Sequence, residues 1–321
     1  MGQAPEDEAW IIAGPTCSGK SALALDLAVR HGGVVINADS MQAYRDLPIL
    51  TACPSPADEA AAPHWLYRIR DAAEPGSAAW WRREAIAALD KARAAGLRPI
   101  LCGGTGLYLS ALARGIADIP EPSPEARAEA RGLLDIEGAP ALHARLAAVD
   151  PGTAAVLRPS DGQRVARAWE VWRSTGRSLR EWQATALPPA GWRFRLVLLD
   201  PPRDVLRPAI ARRFAAMMDA GALAEAAALH ARLLDPALPA MRAHGVVELG
   251  AHLRGQVTLA EASARTVHAT MQYTKRQRTW FRHQIIVPPE RAHTIHARYA
   301  SRTQFSETEW QTLSHFLNAA A

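Results

Sequence analysis

The chain has 321 residues, 49% hydrophobic and 21% charged, a composition that excludes a disordered or collagen-like protein and suggests about two domains. Lysine and arginine outnumber aspartate and glutamate by 37 to 32, leaving a net charge of +5, which permits a polyanionic partner without requiring one. Cys17, Cys53 and Cys102 lie far apart with no C-x-x-C or Cys/His spacing, which excludes a disulfide framework or a recognisable zinc site and fits a reducing cytosol.

At the N-terminus, Glu6, Asp7 and Glu8 are acidic where a secretory leader carries positive charge. Gly2 follows Met1, but Glu6 stands where an N-myristoylation signal needs Ser or Thr. No apolar run approaches the roughly 18 residues of a membrane span. A soluble, cytoplasmic protein without a membrane partner is expected.

Trp10-Ile11-Ile12-Ala13 is a short apolar run stopped by Gly14 and Pro15, the pattern of a buried strand. Ser21 to Arg30 sets Leu23 and Leu27 one helical turn apart before Gly32 and Gly33, so a helix is predicted. Val34 to Asn37 and Pro99 to Cys102 read as two further strands. Strand and helix alternate, which predicts an α/β doubly wound parallel sheet. The pattern breaks near Gly115, and the prolines between Ile119 and Pro124 read as a neck. From Pro124 to about Thr185 only helices are predicted. There Ser160 to Gln163 fits a capping box, ahead of an apolar stripe of Val165, Ala168, Trp169 and Trp172. A second neck, Leu187-Pro188-Pro189, returns the chain to a strand at Phe194 to Leu199. Ile285-Ile286-Val287 is a late strand candidate. The expected domains are a P-loop core at 1–118, an inserted all-helical domain at 119–190, and the rest of the core with C-terminal helices at 191–321.

Gly14-Pro15-Thr16-Cys17-Ser18-Gly19-Lys20-Ser21 matches G-x-x-x-x-G-K-[ST]. A strand before it and a helix after it are the context that separates a phosphate loop from a chance glycine-rich turn. Backbone N–H groups and the helix dipole cradle the phosphate, Lys20 neutralises its end, and the Ser21 hydroxyl can ligate Mg²⁺. The motif alone does not separate a nucleotide from a diphosphate ester, so an ATP-using small-molecule or nucleotide kinase stands as the competing reading. A non-catalytic RNA-binding protein with a vestigial loop is another.

In an open parallel sheet, ligands sit beyond the carboxyl ends of the strands, which sets Asp39 across from the phosphate loop. It could act as a base, bind a hydroxyl or a metal, or simply cap a helix, as Ser40 could. Thr105, after Cys102-Gly103-Gly104, could cap a helix or line the same edge. Asp200 closes Leu196 to Leu199 like a Walker-B acid, or is a turn residue before Pro201-Pro202. Lys275, Arg278 and Arg282 share a helix face beside Arg276, with Tyr273, Trp280 and Phe281 interleaved. Basic groups with aromatic platforms suit RNA, and a solvated basic face over core aromatics gives the same pattern.

GPTCSGKS, NADSMQAYRDLPILTACPS, APHWLYRIRD, CGGTGLYL, SDGQRVARAWEV, MRAHGVVEL and QYTKRQRTWFRHQ occur in this order. Together they resemble the bacterial tRNA dimethylallyltransferase family from about Trp10 to Gln284. The resemblance implies transfer of a dimethylallyl group from dimethylallyl diphosphate, with Mg²⁺, to the exocyclic amine of the adenine 3′ to the tRNA anticodon. It implies that Asp39 is the catalytic aspartate of the family, with Thr105 lining the reaction channel and Arg213 on the diphosphate. The phosphate loop from Gly14 to Ser21 then holds the diphosphate. Asp39, Ser40, Met41, Gln42, Thr105, Arg127, Gln163, Arg164, Arg167 and Arg242 fall at implied contacts with the anticodon loop, and Lys275 and Arg278 join them from the basic helix face. A monomer is expected. Leu50-Thr51-Ala52-Cys53 departs from the commoner Gly-Thr-Ala-Lys and loses a positive charge. Ser21 replaces the more usual threonine and keeps the hydroxyl.

Overall fold

The computed structural model describes residues 7–319. Gly2 and Glu6, read above for a leader or lipid signal, lie outside the described residues. The first compact unit is Met1–Arg114 with Ala190–Ala321, and the second is Gly115–Pro189.

In the first unit the elements run β1 (Glu8–Ala13), α1 (Lys20–His31), β2 (Gly33–Asn37), α2 (Pro56–Ala61), β3 (His64–Trp65), α3 (Ala78–Ala94), β4 (Arg98–Gly103) and α4 (Gly106–Arg114). The second unit holds α5 (Pro124–Glu137), α6 (Ala139–Val149), α7 (Pro151–Ala154), α8 (Gly162–Thr175) and α9 (Leu179–Ala184). The first unit then resumes with β5 (Arg193–Leu199), α10 (Arg203–Asp219), α11 (Ala222–Ala231), α12 (Val246–Leu253), α13 (Leu259–His283), β6 (Ala292–Ile295) and α14 (Glu307–Asn318).

The sheet has six strands in the order β3-β2-β4-β1-β5-β6. Its pairings are parallel, with Ala13 opposite Gly103 on one side and Leu198 on the other. Central strands with helices on both faces must be apolar throughout, and β1 is buried at every position. Helix α1 turns Leu23, Ala24 and Leu27 onto the sheet and ends at Gly32, whose φ of 59° lets the chain reverse. Leu313 and Leu317 of α14 join the same core.

The last strand is not where the apolar run Ile285-Ile286-Val287 pointed. Those residues form a coil, in which Ile286 and Val287 are buried and Ile285 is 69% exposed. Pro288 and Pro289 follow and carry no N–H for a ladder, so pairing with β5 starts only at Ala292.

The second unit packs around Ala130, Leu142, Leu146, Val165, Ala168 and Trp169. The predicted apolar stripe thus faces its core, with Trp172 half-buried. The cap of α8 differs from the one expected: Asp161, not Ser160, accepts from the Arg164 N–H. A carboxylate one residue later reaches the first-turn amides, and Gln163 is left exposed.

Candidate active site

The carboxyl ends of β1, β2, β4 and β5 open on one edge of the sheet, and the loops beyond them build the site. After β1 the chain turns tightly through Cys17, whose φ is 66°, and Gly19, whose φ is 92°. A Cβ on Gly19 would lie 1.8 Å from the Tyr299 carbonyl oxygen, so the close approach requires glycine here. The C-terminal segment braces the loop from outside. Tyr299 N–H donates to Ser18 O at 2.9 Å and Arg298 Nε donates to Cys17 O at 3.0 Å. Lys20 is buried, with Nζ 3.4 Å from Pro15 O. The Ser18 hydroxyl is fully buried without a hydrogen-bond partner. Ser21 is exposed at the first turn of α1.

Asp39 is held by the end of β2. Asn37 Oδ1 accepts from Asp39 N–H at 2.7 Å, and Asn37 Nδ2 donates to the Asp39 and Leu66 carbonyls, both at 3.0 Å. Trp81 Nε1 donates to Asn37 O at 2.8 Å and fixes the strand end from α3. The Asp39 carboxylate caps a turn rather than a helix: Oδ1 accepts from Met41 N–H at 3.1 Å. Thr105 reaches across from β4, its hydroxyl oxygen accepting from Ser40 N–H at 3.0 Å.

Asp39, Thr16, Cys17, Lys20, Ser21 and Arg213 line one cavity of about 700 Å³. Arg213, on α10, donates to Thr51 O at 3.3 Å and stands 3.8 Å from Cys17 Sγ. Arg298 lines the same cavity, a residue that the sequence reading missed. It lies beyond the last recognisable motif, and no local pattern marks a lone arginine after a strand. Cys53 also lines the cavity, and burial pushes its thiol up and keeps it neutral, so position 53 adds charge of neither sign to the wall. Lys20, Arg213 and Arg298 therefore share the lining of one cavity with a single carboxylate, Asp39.

Aromatic groups feel the Asp39 charge. Burial, and then that charge, lift the Tyr273 hydroxyl to about 12. Burial lowers His244, which packs on Tyr273 with ring centroids 5.0 Å apart. Tyr108 is raised by burial and stacks on Trp81 at 4.7 Å.

Other candidates lie elsewhere or are engaged. Gln42 is buried, and its Nε2 donates to the Thr51 and Ala52 carbonyls at 3.0 and 2.8 Å, locking the loop behind the cavity. Ser40 bonds Thr105, and Met41 packs on the core between α10, α11 and α12. Arg242 and Lys275 are exposed. In the second unit, Arg127 pairs with Glu121, Arg164 with Asp161 and Arg167 with Glu170, all surface pairs that are worth little and yield readily.

Two readings of charge change. Asp200 is not poised as a Walker-B metal ligand, because Arg278 Nε donates to its Oδ1 at 2.5 Å and Arg282 to its Oδ2 at 3.1 Å. Burial alone would raise this carboxyl, but the two guanidinium bonds outweigh it and hold it below its ordinary value. The stripe of Lys275, Arg278 and Arg282 is accordingly not one free basic face. Only i+3 and i+7 from Lys275 bring the arginines onto the end of β5, which the helix pattern could not reveal.

No group of three His, Cys, Asp or Glu side chains that could hold a metal occurs among the described residues. A Mg²⁺ ion at the loop would have one or two side-chain oxygens and complete its shell from phosphate and water, the usual arrangement for this ion. Ser21 and Asp39 on one cavity fit that demand.

A phosphate loop, three cations and a carboxylate lining one cavity at the edge of a parallel sheet define a P-loop group-transfer enzyme. Residues 42–284 match the family described as IPP transferase, and residues 7–66 match isopentenyl transferase. The chain belongs to the IPP transferase family of prenyl-transferring enzymes. It is 56% identical over 315 residues to the tRNA dimethylallyltransferase of Granulibacter bethesdensis, covering 98% of this chain and 99% of that one. It is 58% identical over 312 residues to that of Acidiphilium cryptum, covering 97% and 95%. The tRNA isopentenylpyrophosphate transferase of Bacillus halodurans superposes with a TM-score of 0.67 at 30% identity, covering 97% of each chain. A eukaryotic dimethylallyltransferase acting on tRNA shares the fold, with a TM-score of 0.76 at 24% identity, covering 97% of this chain and 78% of that one. No helix among the described residues is long and apolar enough to cross a membrane.

Proposed function

We propose that this enzyme transfers a dimethylallyl group from dimethylallyl diphosphate to the exocyclic amine of the adenine 3′ to the anticodon in tRNA. The observation that carries the reading is that one cavity is lined by Lys20, Arg213 and Arg298 of the phosphate side and by Asp39. A kinase reading is not favoured by the relatives.

An adenine amine is a weak nucleophile because its lone pair is delocalised into the ring. Asp39 accepts a proton from it as the carbon–nitrogen bond forms. The allylic carbon–oxygen bond breaks, and its electron pair leaves with the diphosphate. Charge that builds there is met by Lys20, Arg213, Arg298 and the loop amides more strongly than in the ground state. Mg²⁺, held through Ser21 when bound, would neutralise further charge on the diphosphate oxygens. The base must leave its stack to enter the cavity. Arg127, Gln163, Arg164 and Arg167 of the helical unit, with Arg242 and Lys275, would meet the RNA backbone in a cytoplasmic reaction that one chain suffices to perform.

The test is incubation of the purified chain with Mg²⁺, dimethylallyl diphosphate and unmodified tRNA, followed by nucleoside mass spectrometry. A prenyl mass increment on the adenine beside the anticodon is expected. ATP turnover without modified tRNA would replace this reading with the kinase.

A further inference from the structure

Gln277 sits in the C-terminal third of α13, 4% exposed, and touches two loops of the site at once. Its Oε1 accepts from Thr16 N–H at 2.9 Å and its Nε2 donates to Gly104 O at 3.0 Å. Chemistry fixes this orientation, since the one partner offers only a donor and the other only an acceptor. Space is reserved for it: a Cβ on Gly104 would lie 2.2 Å from Gln277 Nε2. The same helix is pinned to the end of β5 through Arg278 and Arg282 on Asp200. It is seated against α4 at Gly106, where a Cβ would lie 2.1 Å from the Trp280 ring.

A continuous path results. Thr16 belongs to the phosphate loop and lines the cavity; Gly104 precedes Thr105, and Thr105 holds the Ser40 amide next to Asp39. One buried amide therefore spans the donor side and the acceptor side. We propose that Gln277 is a positioning residue for the transfer, fixing the phosphate loop at one spacing from the turn that holds Asp39. The proposal rests on the function stated above. Gln277 touches no reacting atom and acts through Thr16 and Gly104.

If Gln277 merely fills the core, its loss changes stability and leaves turnover per folded molecule alone. If it sets spacing, turnover falls, because small misplacements of reacting groups are costly. The experiment compares steady-state prenylation by wild type, Q277L, Q277E, G104A, Q277A and G104A/Q277A at saturating donor. For Q277L and Q277E, kcat is expected to fall about tenfold or more while KM for tRNA stays within about threefold. Q277E keeps the shape but sets an oxygen against Gly104 O, and it carries the test should Q277L not fold. G104A is expected to be as damaging as Q277L in the wild-type background, and to cost less once Q277A has removed the nearer of its two close contacts, which leaves only Gly14 O at 3.2 Å. Retention of wild-type kcat in Q277L or Q277E, or independent effects of G104A and Q277A, would overturn the proposal. A wild type that binds inorganic diphosphate with Mg²⁺ but modifies no tRNA would sink the assigned function instead. Calorimetry with diphosphate then decides the role of Gln277: weaker binding by Q277E supports it, and unchanged binding rejects it.

Discussion

Arg278 Nε donates to Asp200 Oδ1 at 2.5 Å, in a pair whose side chains are 13% and 9% exposed. Arg282 takes the other oxygen at 3.1 Å from a largely exposed position. The contact ties the longest helix of the first unit to the strand beside the phosphate loop. It also removes Asp200 and the Arg278 guanidinium from the list of groups free to meet substrate.

Replacing Asp200 by Ala leaves the Arg278 charge nearly buried and unpaired, which is expected to cost about 2–4 kcal/mol. Chemical denaturation of wild type and variant checks this. The pH dependence follows from the direction of the carboxyl shift. Its folded value lies below the ordinary 3.8, so folding favours the ionised form. The stability it contributes is complete above about pH 4 and is lost as pH falls through the folded value. The gap in melting temperature between wild type and Asp200→Asn should therefore narrow on acidification; a gap that widens would contradict the pairing.

Lys275 and Arg278 should behave differently although they share a helix. Lys275→Ala removes an exposed cation, and tRNA binding should weaken with the slope of log K against log salt reduced by about 1. Arg278→Ala should instead lower the melting temperature and leave that slope unchanged. Fluorescence titrations at several salt concentrations separate the two.

Asp39→Asn keeps the size of the side chain and an oxygen for the Met41 amide, but cannot take a proton. A fall in kcat of about 10²–10⁴ is expected, with tRNA affinity retained. Rapid-quench measurement of prenyl transfer reads it directly, and undiminished turnover would remove Asp39 from the base role.

Gly19→Ala places a methyl group 1.8 Å from a backbone oxygen at a φ of 92°. The loop or the segment at Tyr299 must move, at a cost of about 1–3 kcal/mol. Weaker diphosphate binding together with a lower unfolding midpoint is expected, measured by calorimetry and thermal denaturation.

The early strands and the phosphate loop were legible because each is encoded locally. Trp10 to Ala13 is apolar throughout, Gly14 to Ser21 carries glycines where the turn needs them, and Leu23 and Leu27 keep helical spacing. The late strand was not legible. Ile285 to Val287 has the apolarity of a strand, but the two prolines after it and the partner edge of β5 decided where pairing begins. Asp200 likewise looked like an end-of-strand acid in isolation, since its partners lie 78 and 82 residues away.

By itself the sequence determined a parallel α/β sheet, a phosphate loop after its first strand, and an acid after its second. These depend on periodicity and on backbone requirements within a dozen residues. Only the tertiary structure decided that Arg298 joins Lys20 and Arg213, that Arg278 is spent on Asp200, and that Gln277 joins two loops. Those facts depend on where α13 and the C-terminal segment come to rest on the sheet edge. Long-range packing sets that position, and no local pattern of residues records it.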